Sequence, residues 1–173
     1  MPAEIRAVGI TIQHDRTANT ITLSMPGYIE KALVRFGMTD ARKVGSPAVY
    51  TPPEYGAKIT YDEVADDTPI TAAEKTRIQQ IVGVLLFYAR AVDPTMLCAV
   101  NKLASSQADP SASTLEQADR ILQYACKHPD AGITLKASDM QLRCHSDASY
   151  LSEANSRSRA GGILFLGDAD TTN

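Results

Sequence analysis

The sequence predicts an α+β protein in three successive parts: an N-terminal β-hairpin, a small helical bundle and a further set of strands. Three observations predict it. β-Branched segments flank a polar turn within residues 5–24, apolar residues recur every three to four positions in successive stretches from Thr71 to Lys127, and from Gly132 the apolar period returns to two. At 173 residues the chain suits one domain, or one domain with part of another.

The first part is IRAVGITIQ followed by TITLS, with HDRTAN between them as the turn; Asp15 and Asn19 are turn-forming residues. YIEKALVRFGM comes next and places Ile29, Ala32, Leu33 and Phe36 on one helical face, with Gly37 as the stop and Lys31 and Arg35 on another face. This predicts a helix over about 28–38. Four prolines (Pro47, Pro52, Pro53, Pro69) then mark a surface linker. Its acids Asp62, Glu63, Asp66 and Asp67 lack the Asp/Asn/Gly pattern of a calcium loop.

Thr71 and Glu74 form a capping box that opens a helix over 71–92, with Ile78, Ile81, Val82, Leu85, Leu86 and Ala89 in register. Asp93-Pro94 supplies an N-cap and a first-turn proline for a helix over 94–106, whose apolar face is Met96, Leu97, Val100 and Leu103. After Asp109-Pro110, Ser113 and Glu116 read as another capping box for a helix over 113–127 that buries Leu115, Ala118, Leu122 and Ala125. ITLK, QLRCHSDA and RAGGILFL then read as strands. In the second, Leu142, Cys144 and Ala148 alternate with Arg143, His145 and Asp147; in the third, 163–166 is continuously apolar, as for a strand covered on both faces.

The net charge of -3 excludes a strongly basic nucleic-acid binder on global charge, while leaving room for a local basic face. Cys98, Cys126 and Cys144 form no CxxC pair or zinc-ligand spacing, which predicts reduced thiols and an intracellular protein, cytoplasmic or nuclear. No apolar run approaches the roughly 20 residues of a membrane span, and MPAEIRAVGI is not a signal peptide, so no membrane partner is expected. Strand-like segments lie close to both ends, so the sequence reads as a piece cut from something longer.

Five blocks occur in an order that resembles the copia-type retrotransposon polyprotein, at the C-terminal end of its reverse transcriptase running into its ribonuclease H domain. GITIQ with ITLS is similar to the hairpin after the polymerase active site. YIEKALVRFGM with SPAV, RIQQIVGVLLFYARAVDPTMLCAVNKLAS and RILQYACKHPDAGITL are similar to the three blocks that follow it. HSDASY with RSRAGGILFLG resembles the start of ribonuclease H. The chain departs from the pattern at Val92-Asp93-Pro94-Thr95, where the family has Arg-Pro-Asp: the proline stays and the arginine is lost. The resemblance assigns 1–138 to a thumb and connection region (hairpin 5–24, helices about 28–38, 71–92, 94–106 and 113–127). It assigns 139–173 to an incomplete N-terminal part of a ribonuclease H-like mixed sheet.

That resemblance implies a chemistry. Such enzymes hold Mg2+ ions with several carboxylates. Asp147 matches the first ribonuclease H carboxylate, and the polymerase's Asp-Asp pair and the other ribonuclease H acids are expected outside this sequence. No bound metal is therefore expected in this chain alone, nor activity alone. Glu153, six residues after Asp147, is expected in the connector rather than on the helix that supplies the family's glutamate, and His145 stands one alternation step from Asp147. The implied partners are an RNA/DNA hybrid or primer-template and the rest of the polyprotein. Lys31, Arg35, Arg157 and Arg159 are the candidate backbone contacts, the last two expected in a loop; Arg120 and Lys127 are further helix cations. An alternative is a non-catalytic protein-interaction module, a domesticated or decayed relic. A self-sufficient hydrolase built on Asp147, Glu153 and the acidic linker is a third reading.

Overall fold

The computed structural model describes residues 3–49, 68–153 and 157–168, so the acidic linker residues 62–67 lie outside the described part. The fold is α+β. The described residues fall into two compact units, 3–49 with 68–134 and 135–153 with 157–168, and each is taken by itself.

The first unit begins with three strands rather than two: β1 (Ala3–Ala7), β2 (Ile10–Asp15) and β3 (Thr20–Ser24). The segment 5–13 does not run as one strand, because Val8 and Gly9 both take positive φ (53° and 82°) and make a two-residue reversal. Left-handed turns of this kind match the twist of the flanking strands, but a β-branched residue at positive φ is rare, so the sequence gives little warning of it. β1 pairs antiparallel with β2, and β2 with β3. β4 (Gly132–Lys136) adds beside β3. It comes so close that a Cβ on Gly132 would lie 2.9 Å from the Leu23 carbonyl oxygen.

Four helices follow the predicted periods. α1 (Tyr28–Phe36) buries Ile29, Ala32, Leu33 and Phe36 and ends at Gly37, whose left-handed φ lets Met38 N–H reach back to the Leu33 carbonyl (2.8 Å). α2 (Ala72–Ala91) opens with the reciprocal Thr71/Glu74 box. Hydrogen bonds from the Thr71 backbone and side chain hold the Glu74 carboxyl below its usual range. A 3-10 turn, Pro94–Met96, capped by Asp93, leads into α3 (Leu97–Ser106). α4 (Ala112–Lys127) is capped by Ser111 with Thr114, not by Ser113 with Glu116: the same kind of box starts two residues earlier, where Ser111 also bridges to Pro69.

The core is helical. Ile78, Ile81, Leu85, Met96, Val100, Leu103, Ala118 and Leu122 are buried, and Leu86, Leu97 and Leu115 sit partly buried at its margin. Tyr88 is also buried, its hydroxyl donating to the Pro129 carbonyl (3.3 Å) and its ring stacked on Tyr28. Burial first, then the nearby Asp93 charge, push the Tyr88 phenol up to about 12.

The second unit is a long hairpin, β5 (Gln141–Glu153) against β6 (Arg157–Gly167), antiparallel from Gln141↔Gly167 to Ser149↔Arg159, with an irregularity before Glu153. The expectation that 163–166 is covered on both faces does not hold among the described residues: Leu164 and Leu166 are 66% and 49% exposed. A two-stranded ribbon cannot bury both of its own faces.

Two outcomes follow. Leu85→Ala is expected to cost about 2–5 kcal/mol in chemical denaturation, and Val34→Ala, on the exposed side of α1, less than about 0.5 kcal/mol. Amide exchange is expected to be slow over residues 78–89 and fast in β5 and β6, because the ribbon has little buried apolar surface to hold it closed. Equal protection in both places would contradict this.

Candidate nucleic-acid interface

Alternation along β5 and the register with β6 divide the ribbon's side chains between two faces. Directly opposed residues of an antiparallel pair share a face. One face therefore carries Leu142, Cys144, Ser146 and Ala148 opposite Leu166, Leu164, Gly162 and Ala160. The other carries Arg143, His145, Asp147 and Ser149 opposite Phe165, Ile163, Gly161 and Arg159. The polar and apolar sets that the sequence separates on β5 are separated here.

Asp147 stands in the middle of the polar face. Gly161 is its cross-strand partner, and a Cβ there would meet nothing within 4 Å, so the space beside the carboxylate is open. Asp147 Oδ1 accepts a hydrogen bond from its neighbour Ala148 N–H (2.9 Å). His145 stacks diagonally on Phe165 with ring centroids 5.4 Å apart. At the far end Arg143 Nη2 donates to the Asp168 carbonyl, and the Asp168 carboxylate accepts from Asp139 N–H (2.9 Å).

The structure moves three of the predicted positions. Arg157 and Arg159 lie within β6 rather than in a loop before it, because polar residues on both strands pair through their backbones as readily as apolar ones do. Glu153 lies at the end of β5, not in a connector, and its side chain is outside the described part. Arg159 thereby joins the Asp147 face, and Arg157, two residues earlier on β6, follows the same alternation. Arg143 belongs with them, and the period-two pattern around Asp147 was the signal that could have added it.

A metal site needs converging ligands. Among the described residues no group of three or more His, Cys, Asp or Glu side chains is placed to hold a metal ion. Asp147 supplies one carboxylate and the rest of its face is cationic, aromatic, aliphatic or small, so this set does not by itself fit Mg2+.

Lys31 and Arg35 belong to the other unit. Both are exposed on α1 one turn apart, and Arg35 leans over the Phe36 ring, 5.4 Å from its centroid. Arg120 is half-buried, with a buried Nε, whereas Lys127 is exposed at the end of α4. No described helix is long and apolar enough to cross a membrane.

Comparison with known proteins supplies the context that the geometry lacks. The chain is 30% identical over 158 residues to the retrovirus-related Pol polyprotein from transposon RE1 of Arabidopsis thaliana, covering 90% of this chain and 10% of that protein. It is 25% identical over 169 residues to the Pol polyprotein from transposon TNT 1-94 of Nicotiana tabacum, covering 95% of this chain and 12% of that protein. The chain is homologous to a segment of copia-type retrotransposon Pol polyproteins. The putative transposon Ty5-1 protein of Saccharomyces cerevisiae is 28% identical over 162 residues, 92% of this chain and 48% of that protein. The chain thus spans about a tenth of the length of the Pol relatives it matches and about half of the Ty5-1 protein. No family model matches the chain. No solved structure matches it significantly.

Because the Asp147 carboxylate is exposed and bonded only locally, Asp147→Asn is expected to change the stability of the chain by less than about 0.5 kcal/mol in a denaturant titration. A larger loss would give Asp147 a structural role in the ribbon.

Proposed function

We propose that this Pol segment is the thumb and connection region of a reverse transcriptase followed by the opening of its ribonuclease H domain, and that it holds an RNA/DNA primer-template. The observation that carries the reading is a collinear likeness over about nine-tenths of the chain to transposon Pol polyproteins. Two features of the fold support it. A helical unit with exposed cations on α1 precedes a long antiparallel ribbon, and that ribbon holds Asp147 mid-strand on a face that also bears Arg143 and Arg159. In this reading Asp147 is one carboxylate of the parent enzyme's Mg2+ site, and the chain alone binds rather than cuts. The cytoplasm or nucleus, where the reverse transcriptase would meet its template, is the proposed compartment.

Phosphate contacts release condensed counterions, so such binding weakens linearly in log–log terms as salt rises. The 173-residue chain is expected to bind a short fluorescent RNA/DNA hybrid at low ionic strength and to lose it steeply towards physiological salt. Absence of binding even at low salt would remove this function.

A second reading has its own observation. The exposed apolar face of the ribbon, with Leu142 at 68% and Leu164 at 66% exposure, favours a module that docks on protein. Recovery of the chain in complexes with protein and without nucleic acid would select that reading.

A further inference from the structure

We infer that Arg42, Lys43 and Lys127 form one phosphate-backbone contact site, which would be a principal anchor of the nucleic acid; the inference rests on the proposed hybrid-holding function. Arg42 and Lys43 are adjacent, Lys127 lies far along the chain, and the fold brings their loop against its helix end. After α1 ends at Gly37, the chain returns along the last turn of α4 and approaches it at two points. The Cys126 thiol lies 4.0 Å from the Ala41 carbonyl oxygen, and a Cβ on Gly45 would lie 3.7 Å from the Lys127 ammonium nitrogen. Arg42 and Lys43 lie between these two points, and Val44 packs partly buried against the core, so the loop is seated rather than loose.

All three cations are exposed. Among the described residues none of them is ion-paired: the ion pair in this unit joins Arg77 to Asp119, and Asp40, at the near end of the loop, bonds to none of the three. Lys127 gains from the negative end of the α4 dipole, a sufficient structural reason for one cation in the last turn. That reason does not extend to Arg42 and Lys43, which belong to no helix. Like charges gathered with no ion-pair partner among the described residues repel one another, and a polyanion relieves the repulsion. The partner chemistry that suits adjacent guanidinium and ammonium groups on an open surface is a row of phosphodiesters: the guanidinium grips a phosphate through two N–H donors and the ammonium groups act as mobile point charges. Such contacts read no sequence. They fix where the backbone runs.

The test is the salt dependence of hybrid binding by the full chain and by the R42A/K43A/K127A variant. Each phosphate contact contributes about 0.9 to the log–log slope, so the variant is expected to lose about 2–3 units of slope, and at low salt to bind on the order of tenfold or more weakly. K43R/K127R, which keeps the charge, is expected to keep the slope. Thermal melts followed by circular dichroism are expected to fall by a few degrees at most, because the three side chains are exposed and only Lys127 has a helix end to stabilise; a variant that melts early is replaced by R42A/K43A, which leaves the end of α4 intact and for which a loss of at least about one unit of slope is expected. If the unaltered chain binds the hybrid and the variants keep its slope, this site is wrong and the proposed function stands. If the unaltered chain binds no hybrid, both fall. Equal affinity for polyglutamate would overturn the phosphate assignment and leave a site for acidic protein.

Discussion

Everything in the helical unit depends on how α2 is held between its neighbours, and Arg77 is the residue that fixes it. One guanidinium nitrogen donates to the Phe36 carbonyl at the end of α1 (2.9 Å), a second to the Asp119 carboxylate on α4 (3.0 Å), and the group lies over the Phe36 ring. Three helices therefore meet at one side chain. The pair with Asp119 is about a third exposed on each side, so its Coulomb energy is largely screened and contributes about 1 kcal/mol at most. Its importance is geometric. Buried Ile78, Leu85 and Leu122 supply the driving force for packing but would tolerate a sliding of one helix on another; a planar group that satisfies a helix-end carbonyl and a carboxylate together tolerates far less.

The ribbon obeys a different constraint. Its strands are long and well paired, yet among the described residues Leu142, Leu164 and Leu166 of one face are left exposed. Stability of a sheet comes from what its faces pack against more than from its ladder. The polar face has the opposite property: Gly161 leaves room beside Asp147, and the His145–Phe165 stack and Arg143 limit how its neighbours can turn. One face thus calls for burial and the other for a solvated or charged partner.

Most of the helical architecture was legible because its signals are local. The four apolar positions of α1 are the four it buries, and the Thr71/Glu74 box opens α2 where its chemistry says it must. The errors fall where local rules are degenerate or overridden. Ser111 and Thr114 offer the same capping chemistry as Ser113 and Glu116, and tertiary pairing with Pro69 selects the first. Val8 at positive φ defeats propensity altogether, and Arg157 and Arg159 enter a strand because backbone pairing is indifferent to side-chain polarity. Tyr88 was missed as a core residue because its hydroxyl needs the Pro129 carbonyl, a partner that only the folded chain supplies.

The site was harder to read because it depends on proximity between distant positions. Alternation alone placed Arg143, His145 and Asp147 on one side of β5, but only the register with β6 adds Arg159 and the gap at Gly161. Global charge was similarly uninformative. The acidic balance owes much to Glu54, Asp62, Glu63, Asp66 and Asp67, which lie together in one stretch of sequence, and the remaining acids and cations nearly cancel. A chain of pI about 5.6 can therefore present a cationic surface where its loop after α1 meets the end of α4. Phosphate binding is decided within a Debye length, roughly 10 Å at moderate salt, so the local arrangement governs it and the sum of charges does not.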